Sequence, residues 1–273
     1  MSQVTGILMG MTNFDVVGVA GDWHSDKDWA VKCLNRFADS GVTEVLHVGD
    51  FNFMNDARGI DFLDALDVLA EKFGITIWVT LGNHEDYAMV ASFVPHPVHA
   101  GWVYDTRWSN ILVAERGTRW EWNGVTFVSL GGANSVNRYS LTPNVDWWNE
   151  EQISIGDVYR TIEGGHADVM ITHDSPAGVP LWEDNINAAG GWSLEALAYA
   201  SGSRDQLRFA VDVVKPEVLF HGHYHFYTNQ VVTLSDWDNT DYVFRNIGLE
   251  MNGNQNNIGL FALPTKEFTP LEV

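Results

Sequence analysis

Short apolar runs alternate with amphipathic stretches along the first part of the chain. The apolar runs at residues 16–20, 43–48 and 75–81 predict buried strands. Between them, residues 26–38 and 60–73 repeat apolar side chains at helical spacing and predict two helices that bury one face. Strands alternating with helices at this spacing are typical of βαβ units, so we expect a largely parallel sheet here.

The middle of the chain has a different pattern. Four short apolar runs, which predict strands, lie close together at residues 102–104, 111–114, 118–122 and 125–130. The last two are separated by Asn123-Gly124, a strong hairpin signal. We therefore expect antiparallel sheet in this region. Residues 131–148 follow as a long polar loop, and loops of that length are usually functional or disordered.

Helices are predicted next at residues 150–162 and 203–214, with strands at 167–172 and 217–220. Ser203 and Gln206 have capping-box spacing, which places the start of the second helix at Ser203. A second antiparallel group is predicted at residues 227–234, 242–247 and 259–263. Repeats and breaks in composition are absent from the sequence, so we expect a single domain over residues 1–273.

Composition and charge narrow the functional classes. The 273 residues are 45% hydrophobic and 19% charged, which favours a sizeable core over long disordered tracts. The net charge of −21 argues against a nucleic-acid partner but is compatible with a small phosphate ester, because bound cations can invert the local field. The only cysteine, Cys33, excludes an intrachain disulfide and thiolate metal sites, and its helical pattern predicts a core position. Polar residues such as Thr12 and Asn13 interrupt the N-terminal segment, so we expect no leader, no membrane association and a cytoplasmic protein.

Compact polar groups follow several of the predicted strands. They are Gly21-Asp22-Trp23-His24, Gly49-Asp50, Gly82-Asn83-His84-Glu85, His173-Asp174 and His221-Gly222-His223-Tyr224-His225. Because ligands of open α/β sheets bind at the carboxyl ends of the strands, we expect these groups to meet at one edge of one sheet. Residues i and i+2 of an extended segment point the same way, so Asp22 and His24 should address one point, and His223 and His225 likewise.

Histidine combined with carboxylate and amide oxygen suits manganese, iron, cobalt, nickel or zinc better than calcium or magnesium alone. These candidate ligands outnumber the ligands that one ion needs. Two ions that share a bridging carboxylate would use all of them.

In their order along the chain, these groups resemble the motif blocks of the calcineurin-like metallophosphoesterase superfamily. The resemblance implies a four-layered αββα sandwich of mixed α/β class with a dinuclear metal centre. It implies one ion held by Asp22, His24, Asp50 and His225. It implies a second ion held by Asp50, Asn83, His173 and His223. His84 would then be the catalytic residue, which protonates the leaving group or binds a phosphoryl oxygen.

Two departures narrow the subclass. Phe53 stands where the purple, iron-tyrosinate branch has a tyrosine, and the run from Phe51 to Met54 lacks the Asp-Arg pair of the Ser/Thr protein phosphatases. The resemblance thus implies a metal-dependent phosphoesterase in which a hydroxide bound to two divalent ions attacks phosphorus. Manganese is favoured as the metal, with iron, zinc, cobalt and nickel as alternatives. The sequence offers no evident arginine clamp for a dianion, so we favour a small phosphodiester substrate; a phosphomonoesterase and a non-catalytic scaffold stay open.

Several other side chains are candidates for supporting roles. Asn134 and Arg138 in the long loop are candidate substrate contacts. Trp147 and Trp148 could cover the site or anchor the loop to the core. Glu85 either orients His84 or is an ordinary carboxylate in the first turn of a helix, and His221 could be a further ligand or could support one.

Overall fold

The computed structural model describes residues 15–97, 101–181 and 191–273. Thr12 and Asn13, on which the expectation about a leader depends, lie outside this part of the chain. The strands are β1 (Val16–Ala20), β2 (Glu44–His47), β3 (Thr76–Thr80), β4 (Val94–Pro97), β5 (Trp102–Asp105), β6 (Ile111–Ala114), β7 (Arg119–Trp122), β8 (Val125–Leu130), β9 (Val169–Thr172), β10 (Val218–His221), β11 (Thr228–Ser235), β12 (Asp241–Gly248), β13 (Ile258–Ala262) and β14 (Glu267–Pro270). The helices are α1 (Lys27–Asp39), α2 (Ala57–Phe73), α3 (Tyr87–Val90), α4 (Ile155–Glu163) and α5 (Leu194–Val214).

The strands form two mixed sheets. The eight-stranded sheet has the order β14-β13-β1-β2-β3-β6-β5-β4, and the six-stranded sheet has the order β11-β12-β10-β9-β8-β7. In the first sheet, β1, β2, β3 and β6 are parallel. In the second, β8, β9, β10 and β12 are parallel. Antiparallel strands complete both margins.

Three hydrophobic clusters define the layers. The inner faces of the two sheets bury Val17, Val19, Phe127 and Phe220 between them. Helices α1 and α2 pack on the outer face of the first sheet. Helices α4 and α5 pack on the outer face of the second, where they bury residues such as Leu207. The protein is therefore the expected four-layered αββα sandwich. Among the described helices, none combines the length and apolar character needed to cross a membrane.

Local sequence determines where the helices begin. The Asp26 side chain accepts a hydrogen bond from the Trp29 amide and caps α1. Asp56 caps α2 in the same way, and Gly74 ends that helix in the left-handed conformation. The start of α4 is a reciprocal capping box between Ser154 and Asp157.

The expectation of antiparallel sheet in the middle of the chain is only half right. The hairpins exist, and Asn123 and Gly124 both have positive φ, as a two-residue hairpin turn requires. However, β6 joins the first sheet parallel to β3, whereas β8 joins the second sheet parallel to β9. The group expected near the C-terminus is divided in the same way, because β13 pairs with β1 of the first sheet. Hydrophobic patterning defines a strand but not the sheet that it joins.

The start predicted for the helix at residues 203–214 is wrong. Helix α5 begins at Leu194, with Ser193 as its N-cap, so Ser203 lies inside it. The Ser203 hydroxyl donates to Asp174 Oδ2 at 2.6 Å, and this tertiary contact offsets the low helix propensity around Gly202. The helix expected from residue 150 begins at Ile155, because Asn149–Glu151 form a 3₁₀ turn.

Candidate metal centre

The candidate ligands lie at strand ends of both sheets. Asp22 and His24 follow β1, Asp50 follows β2 and Asn83 follows β3, all in the first sheet. His173 follows β9, and His223 and His225 follow β10, in the second sheet. The expectation of one edge of one sheet is therefore wrong. The parallel cores of two facing sheets end at a common rim, and the side chains meet there.

Two groups of potential ligand atoms share one carboxylate. Atoms of Asp22, His24, Asp50 and His225 all lie within 4.8 Å of one another. Atoms of Asp50, His173 and His223 form a second group by the same measure. Asn83 Oδ1 adjoins the second group, 3.0 Å from His173 Nε2. The structure thus groups these residues as the resemblance implied, and their coordination of metal stays a prediction.

Left-handed backbone is concentrated at this rim. His24, Asp50, His223 and His225 have φ values of 47°, 49°, 68° and 57°. Each such residue costs on the order of 1–2 kcal/mol and clusters of them are typical of functional sites. Because His223 and His225 are not in an extended segment, the prediction that they address one point is wrong: they belong to different groups.

Two glycines allow the strand ends to approach closely. A Cβ on Gly82 would lie 2.2 Å from Asp50 Oδ1, and one on Gly222 would lie 2.0 Å from Asp22 Oδ1. Both distances are far below van der Waals contact. Glycine at these two positions is therefore a steric requirement of the arrangement of the two carboxylates.

The two aspartates are almost completely buried and point at histidines. Asp22 Oδ2 accepts from the His223 amide at 3.0 Å and lies 3.3 Å from His225 Nε2. Asp22 Oδ1 has no hydrogen-bond partner among the described residues. Asp50 Oδ2 lies 3.4 Å from His24 Nε2. A buried carboxylate oxygen without a partner is costly, and a cation is the partner that would stabilise it.

The ring of His173 has one nitrogen fixed as a donor and the other facing two acceptors. Its Nδ1 lies 2.9 Å from the Val48 carbonyl oxygen, which can only accept, so Nδ1 carries the hydrogen. Nε2 then faces two acceptors, Asn83 Oδ1 at 3.0 Å and Asp50 Oδ1 at 3.2 Å. Three lone pairs directed at one another need either a proton or a metal ion between them. The donor set of this group therefore fits a divalent cation.

His24 is held in the same way by Asn252, a residue outside all of the sequence motifs. The Asn252 amide donates to Asp26 Oδ2 at 2.8 Å, which leaves its Oδ1 to accept from His24 Nδ1 at 3.0 Å. His24 Nε2 is thereby directed at Asp50. A signal was present, since Asn252 is a polar residue shortly after the end of β12.

Electrostatics at the rim favour positive charge. Burial lowers the pKa of His24, but hydrogen bonding and the charge of Asp50 outweigh it and raise that pKa to about 9. Burial also opposes protonation of His173, whereas Asp50 raises its pKa to about 10. The pKa of Asp50 itself is held well below its usual range, against the effect of burial, by His173 and His84. Burial lowers the pKa of His223 to about 3, so this ring is neutral and able to act as a ligand.

Glu85 supports the loops and does not orient the ring of His84. Its carboxylate accepts from the amides of Phe51 at 3.0 Å, Phe53 at 2.8 Å and Gly82 at 3.2 Å. Burial and the nearby Asp50 charge raise the pKa of Glu85 to about 7. His84 donates its backbone N–H to Asp50 Oδ1 at 2.9 Å, and its partly exposed ring lies 5.9 Å from the ring of His24.

The two candidate substrate contacts face different surroundings. Asn134 is buried against α5, where its amide donates to the Tyr199 carbonyl oxygen at 2.6 Å. The Arg138 guanidinium lies 4.0 Å from the ring centroid of Tyr199. Substrate binding by either residue stays a prediction. Trp148 is 5% exposed and belongs to a core cluster, which agrees with an anchoring role.

His221 has partners for both ring nitrogens. Nδ1 lies 3.0 Å from the Gly222 carbonyl oxygen, and Nε2 lies 3.0 Å from the Asn246 amide nitrogen. The carbonyl requires a donor at Nδ1, and the amide donates to Nε2. His221 therefore supports the loop and is not directed at the candidate ligands.

Comparison with known proteins gives a family and a fold. The sequence profile of the family described as calcineurin-like phosphoesterase matches residues 16–227. No curated protein matches the chain at a significant level. Among solved structures, TT1561 of Thermus thermophilus has a TM-score of 0.57 at 10% identity, covering 94% of this chain and 98% of its own. A dimetal phosphatase from Danio rerio has a TM-score of 0.53 at 10% identity, covering 91% of this chain and 92% of its own. At these identities the likeness concerns the fold.

Proposed function

The chain belongs to the calcineurin-like phosphoesterase family, and on that premise we propose that it hydrolyses the phosphodiester bond of a small substrate. It does so with two divalent transition-metal ions, of which manganese is favoured. The first ion is held by Asp22, His24, Asp50 and His225. The second is held by Asp50, Asn83, His173 and His223.

One observation carries this proposal: ring nitrogens from both sheets converge on the two oxygens of Asp50, an arrangement that needs either protons or cations between them. His24 Nε2 and His173 Nε2 lie 3.4 and 3.2 Å from the two Asp50 oxygens, and the other nitrogen of each ring already donates elsewhere. Asp22 Oδ1 adds a buried oxygen for which the described part of the chain supplies no hydrogen-bond partner. A purely structural cluster would pair a buried oxygen such as Asp22 Oδ1 with an N–H or O–H group.

The residues of the chain supply positioning and proton transfer. When bound, two divalent cations activate a water molecule and offset the charge that develops on the phosphoryl oxygens. The Asp50 carboxylate, held by the His84 amide, fixes the spacing of the two ligand groups. The ring of His84 donates a proton to the oxygen of the leaving group, and general acid catalysis of this kind contributes ~10²–10⁴-fold. Tyr224 separates His223 from His225, which belong to different ligand groups.

The charges around the centre support a diester over a monoester. Asp22 and Asp50 are met by histidine rings and backbone amides. Arg58 lies nearby and donates to the His24 carbonyl oxygen at 3.2 Å. Its side chain is exposed to solvent. A monoanionic diester needs less cationic assistance than a dianionic monoester. The net charge of −21 likewise favours a small substrate over a nucleic acid.

Hydrolysis of bis-p-nitrophenyl phosphate with added Mn²⁺ tests the proposal. We expect turnover that is abolished by a chelator, restored by Mn²⁺ and reduced at least ~100-fold in His84→Ala. His166→Ala is the matched control, because His166 lies away from the rim against the Val214 carbonyl oxygen. Faster hydrolysis of p-nitrophenyl phosphate than of the diester would show a monoesterase. No turnover with any transition metal would show a scaffold.

A further inference from the structure

The amide of Asn83 can contribute an oxygen to the second ligand group in only one of its two orientations. We infer that the buried pair Ser135 and Glu151 sets this orientation, so that both are positioning residues for the second cation. The inference rests on the two-cation centre proposed above. It concerns residues that no ligand motif includes.

The contacts form an unbroken chain from the rim to the carboxylate. Asn83 Nδ2 lies 3.0 Å from Ser135 Oγ. Ser135 Oγ in turn donates to Glu151 Oε2 at 2.6 Å, and the Ser135 amide donates to Glu151 Oε1 at 2.8 Å. The hydroxyl of Tyr199, from α5, donates to the same Oε1 at 2.9 Å. Asn83, Ser135 and Glu151 are all buried, so water does not compete for these bonds.

The number of hydrogens available decides the direction of each bond. An ionised carboxylate only accepts, and a serine hydroxyl has a single hydrogen. Ser135 therefore gives its hydrogen to Glu151 and offers Asn83 a lone pair. The Asn83 amide must therefore donate to Ser135 from its NH₂ group, so its oxygen faces His173 Nε2, 3.0 Å away. The opposite orientation would direct two N–H groups at the cation position and remove one ligand.

Replacing Glu151 by glutamine reverses this polarity with almost no change of shape. The Ser135 amide still needs an acceptor, which places the glutamine oxygen where Oε1 was. The glutamine NH₂ then takes the place of Oε2 and donates to Ser135 Oγ. The Ser135 hydrogen is released toward Asn83, which now accepts it through its oxygen and turns its NH₂ toward His173.

Calorimetric titration of chelator-treated protein with Mn²⁺ tests the inference. We expect wild type to bind two equivalents, and Glu151→Gln to bind the second 10–100-fold more weakly with the first unchanged. Ser135→Ala should have the same selective effect, because it removes the lone pair that holds the amide. Glu150→Gln is the matched control: the same chemical change at an adjacent, exposed side chain should leave both affinities as in wild type. Unfolding temperatures measured in chelator identify any variant that fails to fold.

The outcomes separate this inference from the proposed function. If wild type binds two equivalents and both variants bind them equally well, the positioning role is refuted. Equal weakening of both equivalents would also refute it, because it would show a general structural role. If wild type itself binds no second equivalent, the proposed centre and the inference are refuted together. The absorption spectrum of Co²⁺ in the second site provides a further readout, which should change in Glu151→Gln and not in Glu150→Gln.

Discussion

Alanine at position 222 would place a methyl group where the Asp22 carboxylate lies. An ideal Cβ there is 2.0 Å from Asp22 Oδ1 and 3.2 Å from Val48 Cγ2. Ordinary contact begins at 3.4 Å, so the carboxylate must move by about 1.4 Å. The φ of Gly222 is outside the left-handed region, so the backbone itself tolerates alanine. The effect of the substitution is therefore steric and falls mainly on the Asp22 carboxylate, with a slight overlap at Val48.

That displacement is large on the scale of metal coordination. Distances from ligand to metal hold within about 0.2 Å, so a shift of about 1.4 Å removes Asp22 from the first group. Loss of a supporting residue alone costs 10–100-fold in metal affinity, and loss of a ligand should cost at least ~100-fold, or about 2.8 kcal/mol. Titration with Mn²⁺ measures the affinity of the first equivalent. Turnover of bis-p-nitrophenyl phosphate should fall in parallel.

Gly156→Ala is the control for this prediction. Gly156 lies in α4, and a Cβ there would meet no atom closer than Ser154 Oγ at 3.6 Å. Because alanine is a better helix former than glycine, this variant should be up to ~1 kcal/mol more stable and bind Mn²⁺ as wild type does. Wild-type affinity for both equivalents in Gly222→Ala would refute the reasoning, since it would show that Asp22 is not confined by Gly222.

Three further variants test other parts of the structure. Burial raises the pKa of Glu44 to about 7, although Trp78 Nε1 donates to it at 2.7 Å. The folded state therefore holds this proton more tightly than the unfolded state, and wild type loses at most about 3 kcal/mol as the pH rises from 4.5 to above 7. Glu44→Gln should escape that loss and be the more stable protein at pH 8 in urea denaturation. Asn252→Ala removes the acceptor that holds His24. It should lower the affinity for the first equivalent of Mn²⁺ 10–100-fold, as measured by calorimetry. Ser154→Ala removes the α4 cap and should lower the free energy of unfolding by ~1 kcal/mol at neutral pH.

Each of these expectations has a result that contradicts it. A stability difference between Glu44→Gln and wild type that is the same at pH 4.5 and pH 8 would show that the carboxyl is not protonated in the folded state. Unchanged Mn²⁺ affinity in Asn252→Ala would mean that the ring of His24 is oriented without its help. Unchanged stability in Ser154→Ala would mean that the reciprocal capping bonds contribute nothing net.

The elements near the site were predictable because they depend on local signals. Strand β1 was predicted with the bounds that the structure gives it, Val16–Ala20, since an apolar run that stops at a glycine is a short-range pattern. Helix α1 was predicted from residue 26 for the same kind of reason, and it begins at Lys27 with Asp26 as its N-cap. The end of helix α5 at Val214 was predicted, but its start was misplaced at Ser203, whose hydroxyl instead contacts Asp174, a residue distant in sequence.

By itself, the sequence determined the αββα class, the family and the polar residues available at the strand ends. The alternation of strands and helices and the polar groups follow from periodicity and glycine punctuation, whereas the αββα class and the family follow from the resemblance that the motif order carries. Only the tertiary structure decided which sheet supplies each residue and brought the residues together in the two groups that the resemblance implied. The division of strands between two sheets, the left-handed backbone of Asp50 and the contact of Ser135 with Glu151 depend on the packing of distant segments. Packing between distant segments can hold a strained residue or a buried polar group in place, and no short stretch of sequence specifies those contacts.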